Sequence, residues 1–274
     1  MHEDCKIFGI IGYPVSHSLS PAMHHAAFEA AKINAVYVAL EARELNNAVK
    51  FMNDAGFSGF NITMPYKENI LKYAKAKSKE VEAIGAANTA VLRSGKIYLY
   101  NTDYLAAKKL ISGKMNVKGK KALVIGAGGA AKAIIYALKQ LKADVYVMNR
   151  TFSKAKNLVK KFRIRAISEK EICSNTEKYS FAIITNATPL GMGKMKNRMP
   201  CRKQLLENAE LVYESVYHPA ETLLLKEAKN AGCKTINGLD MLLEQGAEAF
   251  ALFTGKEAPK NVMKEALIKG LNEL

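Results

Sequence analysis

Long uncharged hydrophobic runs are absent from this sequence of 274 residues. No run reaches the roughly 18 residues that a membrane-spanning helix needs, which argues against a membrane-embedded protein. Residues 1–6 also lack the basic flank and the apolar stretch of a secretion signal. The composition, 49% hydrophobic and 24% charged, is sufficient for a sizeable core. We therefore expect a globular, cytoplasmic protein of one or two domains that binds no membrane.

Cysteine is scarce and widely spaced in the chain. The four cysteines form no C-x-x-C pattern and lie far apart: Cys5, Cys173, Cys201 and Cys233. This spacing indicates neither a zinc site nor a disulfide framework, so we expect free thiols. Three histidines also lack carboxylates or cysteines at metal-binding spacing, and we expect loop or helix-surface roles for them: His17, His24 and His25. The sequence therefore predicts no metal site.

Acidic residues are few compared with basic ones, 25 against 41, which gives a formal charge of +16. Such a charge attracts nucleic acid, anionic membranes or anionic small molecules. Two groups of lysines recur at helix-like spacing and predict solvated helix faces: Lys72, Lys75, Lys77 and Lys79, then Lys154, Lys156, Lys160 and Lys161. No aromatic-interleaved basic stretch or recognisable nucleic-acid-binding module accompanies them. We therefore expect a small anionic ligand and no nucleic acid.

Strands and helices alternate along the first part of the chain. The hydrophobic pattern predicts strands over residues 7–12, 35–40 and 59–63, and helices over residues 21–31 and 44–55. Ser20 and Pro21 are typical of a helix start, and a new helix is expected to begin at Pro65. This alternation predicts an α/β fold with a mostly parallel sheet, whose ligands bind beyond the carboxyl ends of the strands.

A second α/β series begins at residue 121. Strands are predicted over residues 121–125, 144–148, 181–185 and 211–214, with a glycine turn and a long helix after the first. The break between the two series falls near residues 102–119, where a helix is expected to cross from one lobe to the other. A helix over residues 238–253 is expected to pack back on the first lobe. We thus predict two domains, residues 1–103 completed by 238–274, and residues 104–237.

The glycine turn carries a cofactor motif. Its residues follow an apolar strand directly and precede a helix: Gly126, Ala127, Gly128, Gly129, Ala130 and Ala131. This is the context that a G-x-G-x-x-G/A fingerprint requires, because the glycines let helix amide groups approach a pyrophosphate. The motif predicts a Rossmann-type, dinucleotide-binding domain.

The end of the next strand indicates which dinucleotide is bound. A carboxylate there would bind the ribose hydroxyls of NAD, but the residues are Asn149, Arg150 and Thr151. Arg150 can pair with a phosphate and stack on adenine, and Lys154 lies one helical turn further on. We therefore predict NADP as the cofactor.

The first lobe holds polar groups suited to catalysis and to substrate binding. Asn61, Thr63 and Lys67 bring an amide, a hydroxyl and an amine to the predicted strand-to-helix junction. In a first helical turn the helix dipole would favour the neutral amine of Lys67 and suit it to acid/base catalysis. The hydroxyls of Ser18 and Ser20 are natural anchors for a carboxylate, although Ser20 is also a candidate helix cap.

Taken in order, these motifs resemble the shikimate dehydrogenase family over about residues 7–255. The segments that carry the resemblance are Ser18-Leu19-Ser20-Pro21, Gly59-Phe60-Asn61-Ile62-Thr63-Met64-Pro65-Tyr66-Lys67, Ala87-Asn88-Thr89, Asn101-Thr102-Asp103, the glycine turn, Asn149-Arg150-Thr151, Asn186-Ala187-Thr188-Pro189-Leu190-Gly191-Met192, and Gly238-Leu239-Asp240-Met241-Leu242 with Gln245. So many matches in one order make the resemblance highly specific.

The resemblance implies roles for individual residues. Lys67 and Asp103 would form the catalytic pair, and seven residues would bind the substrate: Ser18, Ser20, Asn61, Thr63, Asn88, Tyr217 and Gln245. Asn186, Ala187 and Thr188 would line the dinucleotide, and Gly238 would approach the nicotinamide. The implied reaction is the NADPH-dependent reduction of 3-dehydroshikimate to shikimate, in the chorismate pathway to the aromatic amino acids. A protonated Lys67 would stabilise the charge that develops on the ketone oxygen.

Several residues depart from the usual family pattern and leave alternatives open. Tyr104 stands where glycine is common, Ala106 and Ala107 stand where glycine and an aromatic residue are common, Glu214 replaces an aspartate, and Leu223 replaces a proline. The first three are expected at the edge of the pocket. A dehydrogenase that acts mainly on quinate, or a non-catalytic NADP-binding regulatory protein, stays as an alternative. The sequence also leaves open whether the protein is a monomer or a homodimer.

Overall fold

The computed structural model describes residues 5–174 and 179–273. The chain divides into two compact units. The first unit comprises Met1–Thr102 and Leu243–Leu274, and the second unit comprises Asp103–Leu242. No helix in the described ranges is long and apolar enough to cross a membrane.

One sheet of six strands forms the centre of the first unit. Its strands are β1 (Lys6–Gly12), β2 (Ala35–Glu41), β3 (Gly59–Ile62), β4 (Ala74–Lys77), β5 (Thr89–Arg93) and β6 (Lys96–Tyr100). They lie in the order β2-β1-β3-β5-β6-β4. β1 pairs in parallel with β2 and β3, and β4 with β6, whereas β5 runs antiparallel to β3 and β6. The sheet is therefore mixed, with the predicted parallel strands at one side.

The second unit contains a fully parallel sheet. Its strands are β7 (Lys121–Ile125), β8 (Asp144–Met148), β9 (Arg165–Ala166), β10 (Ile183–Asn186), β11 (Leu211–Glu214) and β12 (Lys234–Ile236). Their order, β12-β11-β10-β7-β8-β9, reverses direction between β7 and β10. This is the doubly wound Rossmann order, in which ligands bind at the carboxyl ends of the strands beside the reversal. The predicted Rossmann-type fold is confirmed.

Ten α-helices are found among the described residues. They are α1 (Ser20–Ala30), α2 (Leu45–Asp54), α3 (Lys79–Ile84), α4 (Thr102–Lys114), α5 (Gly129–Gln140), α6 (Phe152–Phe162), α7 (Glu169–Ser174), α8 (Leu223–Asn230), α9 (Gly238–Thr254) and α10 (Lys260–Asn272). The prediction that the tail helix packs on the first lobe is confirmed, because Phe253 of α9 stacks on Phe8 of β1 with ring centroids 4.9 Å apart. α10 was not predicted from the sequence.

The segment after β3 differs from its prediction. No α-helix begins at Pro65; turns lead to a short 3₁₀ helix over Asn69–Tyr73 and then to β4. The first lysine group is therefore not a helix face, because Lys75 and Lys77 lie on β4, although all four of its lysines are exposed. The second lysine group does lie exposed on α6 as predicted.

Two predictions for the start of α1 were wrong. Ser20 is the first residue of the helix, and the capping position is taken by Leu19, with no side-chain cap. His24 is fully buried, not on the helix surface, and burial lowers the pKa of its imidazole to about 3. His17 and His25 are exposed.

The described cysteines carry free thiols. Cys5 is exposed, and Cys201 and Cys233 are buried. The side chain of Cys173 lies outside the described part of the structure. Burial raises the pKa of the Cys201 thiol to about 12, so this thiol stays protonated near neutral pH.

Candidate active site

A buried hydrogen-bond network in the first unit is built on the side-chain amide of Asn61. Tyr37 Oη donates to Asn61 Oδ1 at 2.7 Å. Asn61 Nδ2 donates to the carbonyl oxygen of Asn88 at 3.1 Å and to Thr89 Oγ1 at 3.0 Å. Both amide hydrogens of Asn61 are thus used within the protein, and the side chain joins the end of β3 to the start of β5.

Asn88 extends this network to α4 and α9. Its Oδ1 accepts a hydrogen bond from the Thr102 backbone N–H at 2.7 Å, and its Nδ2 donates to Thr102 Oγ1 at 2.8 Å. Nδ2 also lies 3.2 Å from Gln245 Oε1, to which it donates. Asn88 is buried, whereas Gln245 is partly exposed. The structure therefore brings together two predicted substrate-binding residues that are far apart in the sequence.

Tyr37 connects Ser20 to Asn61. The Ser20 hydroxyl donates to the Tyr37 phenol oxygen, and burial raises the pKa of Tyr37 well above its usual range. The ring of His24 stacks on the Tyr37 ring at 4.4 Å, nearly parallel. Tyr37 was not predicted as a site residue, because an aromatic residue in an alternating strand looks like an ordinary core residue. Ser18 is linked to Ser20, because Ser18 Oγ accepts a hydrogen bond from the Ser20 N–H at 3.3 Å.

Lys67 is held by its backbone in a turn after β3. Its carbonyl oxygen accepts a hydrogen bond from Ala87 N–H at 2.8 Å, which ties the turn to the residue just before Asn88. Thr63 holds the start of the same turn, because its N–H donates to Ile11 and its carbonyl oxygen accepts from Tyr66. The side chains of Thr63 and Lys67 are both partly exposed. The backbone thus places an amine and a hydroxyl at the carboxyl end of β3.

Asp103 lies in the first turn of α4 and belongs to the second unit. Its side chain is 5% exposed. The unpaired N–H groups of a first helical turn stabilise a carboxylate. The sequence neighbours of Asp103 are also buried, and Asn101 Nδ2 donates to the Ala86 carbonyl oxygen at 2.9 Å.

The glycine turn of the second unit has the shape of a pyrophosphate cradle. Gly126 has a φ of +124°, and a Cβ atom on it would lie 2.7 Å from the Ala187 carbonyl oxygen. Gly128 precedes α5 and would have open space around a Cβ, and Gly129 begins the helix. Ala127, Gly129 and Ala130 are partly exposed. The first N–H groups of α5 can therefore meet an anionic pyrophosphate, so this turn fits a dinucleotide.

The end of β8 is basic and exposed. Arg150 and Lys154 are exposed, and Asn149 Nδ2 donates to the Thr151 carbonyl oxygen at 2.9 Å. Thr151 precedes the first residue of α6, whose first turn contains no acidic residue. A phosphate here would meet two cations and a helix N-terminus, so these residues fit the additional phosphate of NADP.

Asn186 shapes the loop after β10 and has no hydrogen-bonding capacity left over. Its Oδ1 accepts from the Thr188 N–H at 3.0 Å and from Thr188 Oγ1 at 2.7 Å. Its Nδ2 donates to the Leu190 carbonyl oxygen and to Glu214 Oε1, both at 2.9 Å. Asn186 is fully buried, whereas Ala187 and Thr188 are partly exposed. Asn186 therefore supports the loop, and its two successors are the more accessible residues of this segment.

Gly238 is required by a close approach within the second unit. A Cβ atom on it would lie 2.3 Å from the carbonyl carbon and oxygen of Val216 and 2.6 Å from the Tyr217 nitrogen. Tyr217 is partly buried, and burial raises the pKa of its phenol. The start of α9 is therefore packed directly on the segment that carries Tyr217.

Comparison with known proteins identifies the family. Three family models match: the shikimate dehydrogenase substrate binding domain over residues 10–90, shikimate / quinate 5-dehydrogenase over 105–204, and the shikimate 5′-dehydrogenase C-terminal domain over 238–268. The shikimate dehydrogenase (NADP(+)) of Pyrococcus furiosus is 42% identical over 274 residues, which cover 100% of this chain and 99% of that protein. The chain belongs to the shikimate dehydrogenase family.

Solved structures of shikimate dehydrogenases and of a quinate dehydrogenase share the fold. A Thermus thermophilus shikimate 5-dehydrogenase in complex with NADP(H) and shikimate matches with a TM-score of 0.87 and 35% identity, covering 97% of this chain and 99% of that chain. A quinate dehydrogenase from Corynebacterium glutamicum in complex with NAD matches with a TM-score of 0.89 and 29% identity, covering 97% and 100%. The fold is thus common to family members with different named substrates.

The unusual residues on α4 of this shikimate dehydrogenase family member are buried. Tyr104 packs edge-on against Tyr136 of α5, with ring centroids 4.9 Å apart. Ala106 and Ala107 are 0% exposed. The aromatic ring at position 104 thus contributes to packing between α4 and α5, and the small alanines are enclosed in the interior.

Proposed function

We propose that the protein is an NADP-dependent shikimate dehydrogenase, which reduces 3-dehydroshikimate to shikimate in the pathway to chorismate and the aromatic amino acids. The full-length match to relatives named shikimate dehydrogenase (NADP(+)) carries this proposal. A cytoplasmic location stays a prediction from the sequence.

Residues 1–103, completed by 238–274, bind the substrate in this proposal, and residues 104–237 bind NADP. The glycine turn holds the pyrophosphate, and Arg150 and Lys154 pair with the additional phosphate, next to a strand end that has no carboxylate. Ala187 and Thr188 line the dinucleotide, and Gly238 lies near the nicotinamide. When bound, NADPH supplies the hydride that the ketone carbon receives.

Lys67 and Asp103 are the proposed catalytic residues. Reduction of the ketone places negative charge on its oxygen, and the Lys67 ammonium stabilises that charge and donates the proton. The Asp103 carboxylate orients the ammonium. Hydroxyl and amide groups hold the carboxylate and hydroxyls of the substrate, and the residues that supply them are Ser18, Ser20, Asn61, Thr63, Asn88, Tyr217 and Gln245. For Asn61 the support is indirect, because its amide hydrogens are already bonded to Asn88 and Thr89.

Steady-state oxidation assays with purified protein test this function. NADP and NAD are each combined with shikimate and with quinate, and reduced-nicotinamide absorbance is followed. We expect the highest kcat/KM for NADP with shikimate, and Arg150→Ala to raise the KM for NADP much more than that for NAD. A higher kcat/KM for quinate would replace the proposed substrate. Inactivity in all four mixtures would favour the non-catalytic NADP-binding protein.

A further inference from the structure

Glu214 is a buried carboxylate that lies outside the residues assigned to substrate, cofactor or proton transfer. It ends β11 and is 0% exposed. Its Oε1 accepts hydrogen bonds from Asn186 Nδ2 and from the Val216 N–H, both at 2.9 Å. Its Oε2 accepts from Thr222 Oγ1 at 3.0 Å and from Asn186 Nδ2 at 3.2 Å. One carboxylate thus joins three separate segments of the second unit.

Two of these segments carry residues assigned to ligands, and the third begins a helix. Asn186 shapes the loop that presents Ala187 and Thr188. Val216 precedes Tyr217, and its carbonyl group lies against Gly238. Thr222 caps α8, because its Oγ1 accepts a hydrogen bond from the Leu225 N–H at 3.3 Å. Movement of Glu214 would therefore release the dinucleotide loop and the Tyr217 segment together.

We propose that Glu214 is a positioning residue, which holds the loop after β10 and the segment after β11 in the arrangement that binds NADP. This inference rests on the proposed NADP site. Glu214 acts through Asn186 and Val216 and need not touch the cofactor. The fit around it is close, since Gly191 has a φ of +97° and a Cβ atom there would lie 3.3 Å from Thr222 Cγ2 and 3.8 Å from Glu214 Oε2.

At pH 8, above the raised pKa of about 7 for Glu214, the hydrogen-bond pattern suits the ionised carboxyl better than an amide. Each of the three side-chain and backbone partners is placed to donate, and the ionised group offers acceptors alone. Glutamine has the same shape, but its NH₂ group would face either Asn186 Nδ2 or Thr222 Oγ1 as a second donor. Aspartate keeps both oxygens on a shorter side chain. Comparing Glu214→Gln with Glu214→Asp therefore separates the effect of replacing an acceptor oxygen by a donor from the effect of shortening the side chain.

NADPH binding by the purified full chain tests the proposal, measured from the change in NADPH fluorescence. We expect Glu214→Gln to raise the Kd for NADPH at pH 8 about tenfold or more, with kcat at saturating NADP changed less than about threefold. Glu214→Asp should restore much of the affinity. The control is Glu221→Gln, an exposed glutamate on the same unit, which should bind like the parent protein. A folded Glu214→Gln protein with unchanged Kd would overturn the proposal.

A second variant keeps the test decisive if Glu214→Gln does not fold. Thr222→Val removes the donor to Oε2 together with the side-chain cap of α8, and it leaves the carboxylate in place. We expect a Kd for NADPH about three- to tenfold higher with kcat unchanged, and an unaltered Kd would contradict the proposal. Assays of the parent protein distinguish failure of this proposal from failure of the proposed enzyme activity. If the parent protein binds NADPH but oxidises no shikimate, the proposed activity is wrong, and the effect of Glu214 on NADPH binding can still be measured.

Discussion

Asn61, Asn186 and Glu214 share a feature that bears on how the ligand sites are built. Each is buried, and each uses its polar atoms on other parts of the protein. A buried polar group that loses its partner costs about 1–3 kcal/mol, so such residues fix the positions of their neighbours. Lys67, Thr188 and Gln245, which lie near these buried residues, are partly exposed.

Lys67→Ala should lower turnover by roughly two to four orders of magnitude, because the proton donor is lost. The Kd for NADP should change little, since the turn is held by the Lys67 carbonyl oxygen, which the substitution keeps. Single-turnover kinetics and a binding titration measure the two quantities. The matched control is the exposed Lys72→Ala. Near-normal turnover of Lys67→Ala would remove Lys67 from the mechanism.

Tyr37→Phe should weaken shikimate binding, because it deletes the hydroxyl that connects Ser20 to Asn61. We expect the KM for shikimate to rise about tenfold and that for NADP to stay unchanged, a loss typical of one buried hydrogen bond. Tyr73→Phe, which removes an exposed hydroxyl bonded to Asn46, is the control. Equal changes in both Michaelis constants would argue against a local role for Tyr37.

The raised pKa of the Glu214 carboxyl predicts an unusual dependence of the free energy of unfolding on pH. Burial raises the pKa of its carboxyl from 4.5 to about 7. Its contribution to stability is therefore complete below about pH 4.5 and is lost as the pH rises through about 7. Relative to Glu214→Gln, the parent protein should lose about 2–3 kcal/mol of unfolding free energy between pH 5 and pH 8. Urea unfolding of both proteins measures this difference, and parallel pH profiles would refute it.

At the scale of elements, local sequence patterns indicated some parts of the fold and concealed others. β1, β2 and β3 were predictable from apolar runs between turn signals, and α5 from the glycine turn before it. β4 was not predicted, because alanine and lysine are both depleted in strands and because its pairing partner β6 is distant in sequence. Pro65 was misinterpreted, because proline suits a turn as well as a helix start.

Gly126→Ala should damage the cofactor site and the fold together. The new Cβ would lie 2.7 Å from the Ala187 carbonyl oxygen, and the φ of +124° is strained for alanine. We expect a loss of about 1–3 kcal/mol in unfolding free energy and no measurable NADP binding. Gly113→Ala, in α4 with open space around the new Cβ, should keep or increase stability. An NADP-binding Gly126→Ala protein of parental stability would contradict this account of the turn.

For the whole molecule, ordered motifs predicted the two α/β units better than any single residue did. The glycine turn and the strand end at Arg150 pointed to the second unit, and the segments around Lys67 and Asn88 pointed to the first. The side-chain partners within each unit could not be predicted, because Asn88 and Gln245 meet only after α9 packs on the first sheet. The excess positive charge suits an anionic cofactor and substrate without identifying either.

Transfer of deuterium from NADPH deuterated at the reactive nicotinamide carbon to 3-dehydroshikimate tests the proposed reaction most directly. The product is identified by mass spectrometry and NMR. We expect shikimate with one deuterium on the ring carbon that carried the ketone, and no such product from Lys67→Ala within the same time. Recovery of unchanged 3-dehydroshikimate with the parent protein, under conditions where NADPH is bound, would contradict it.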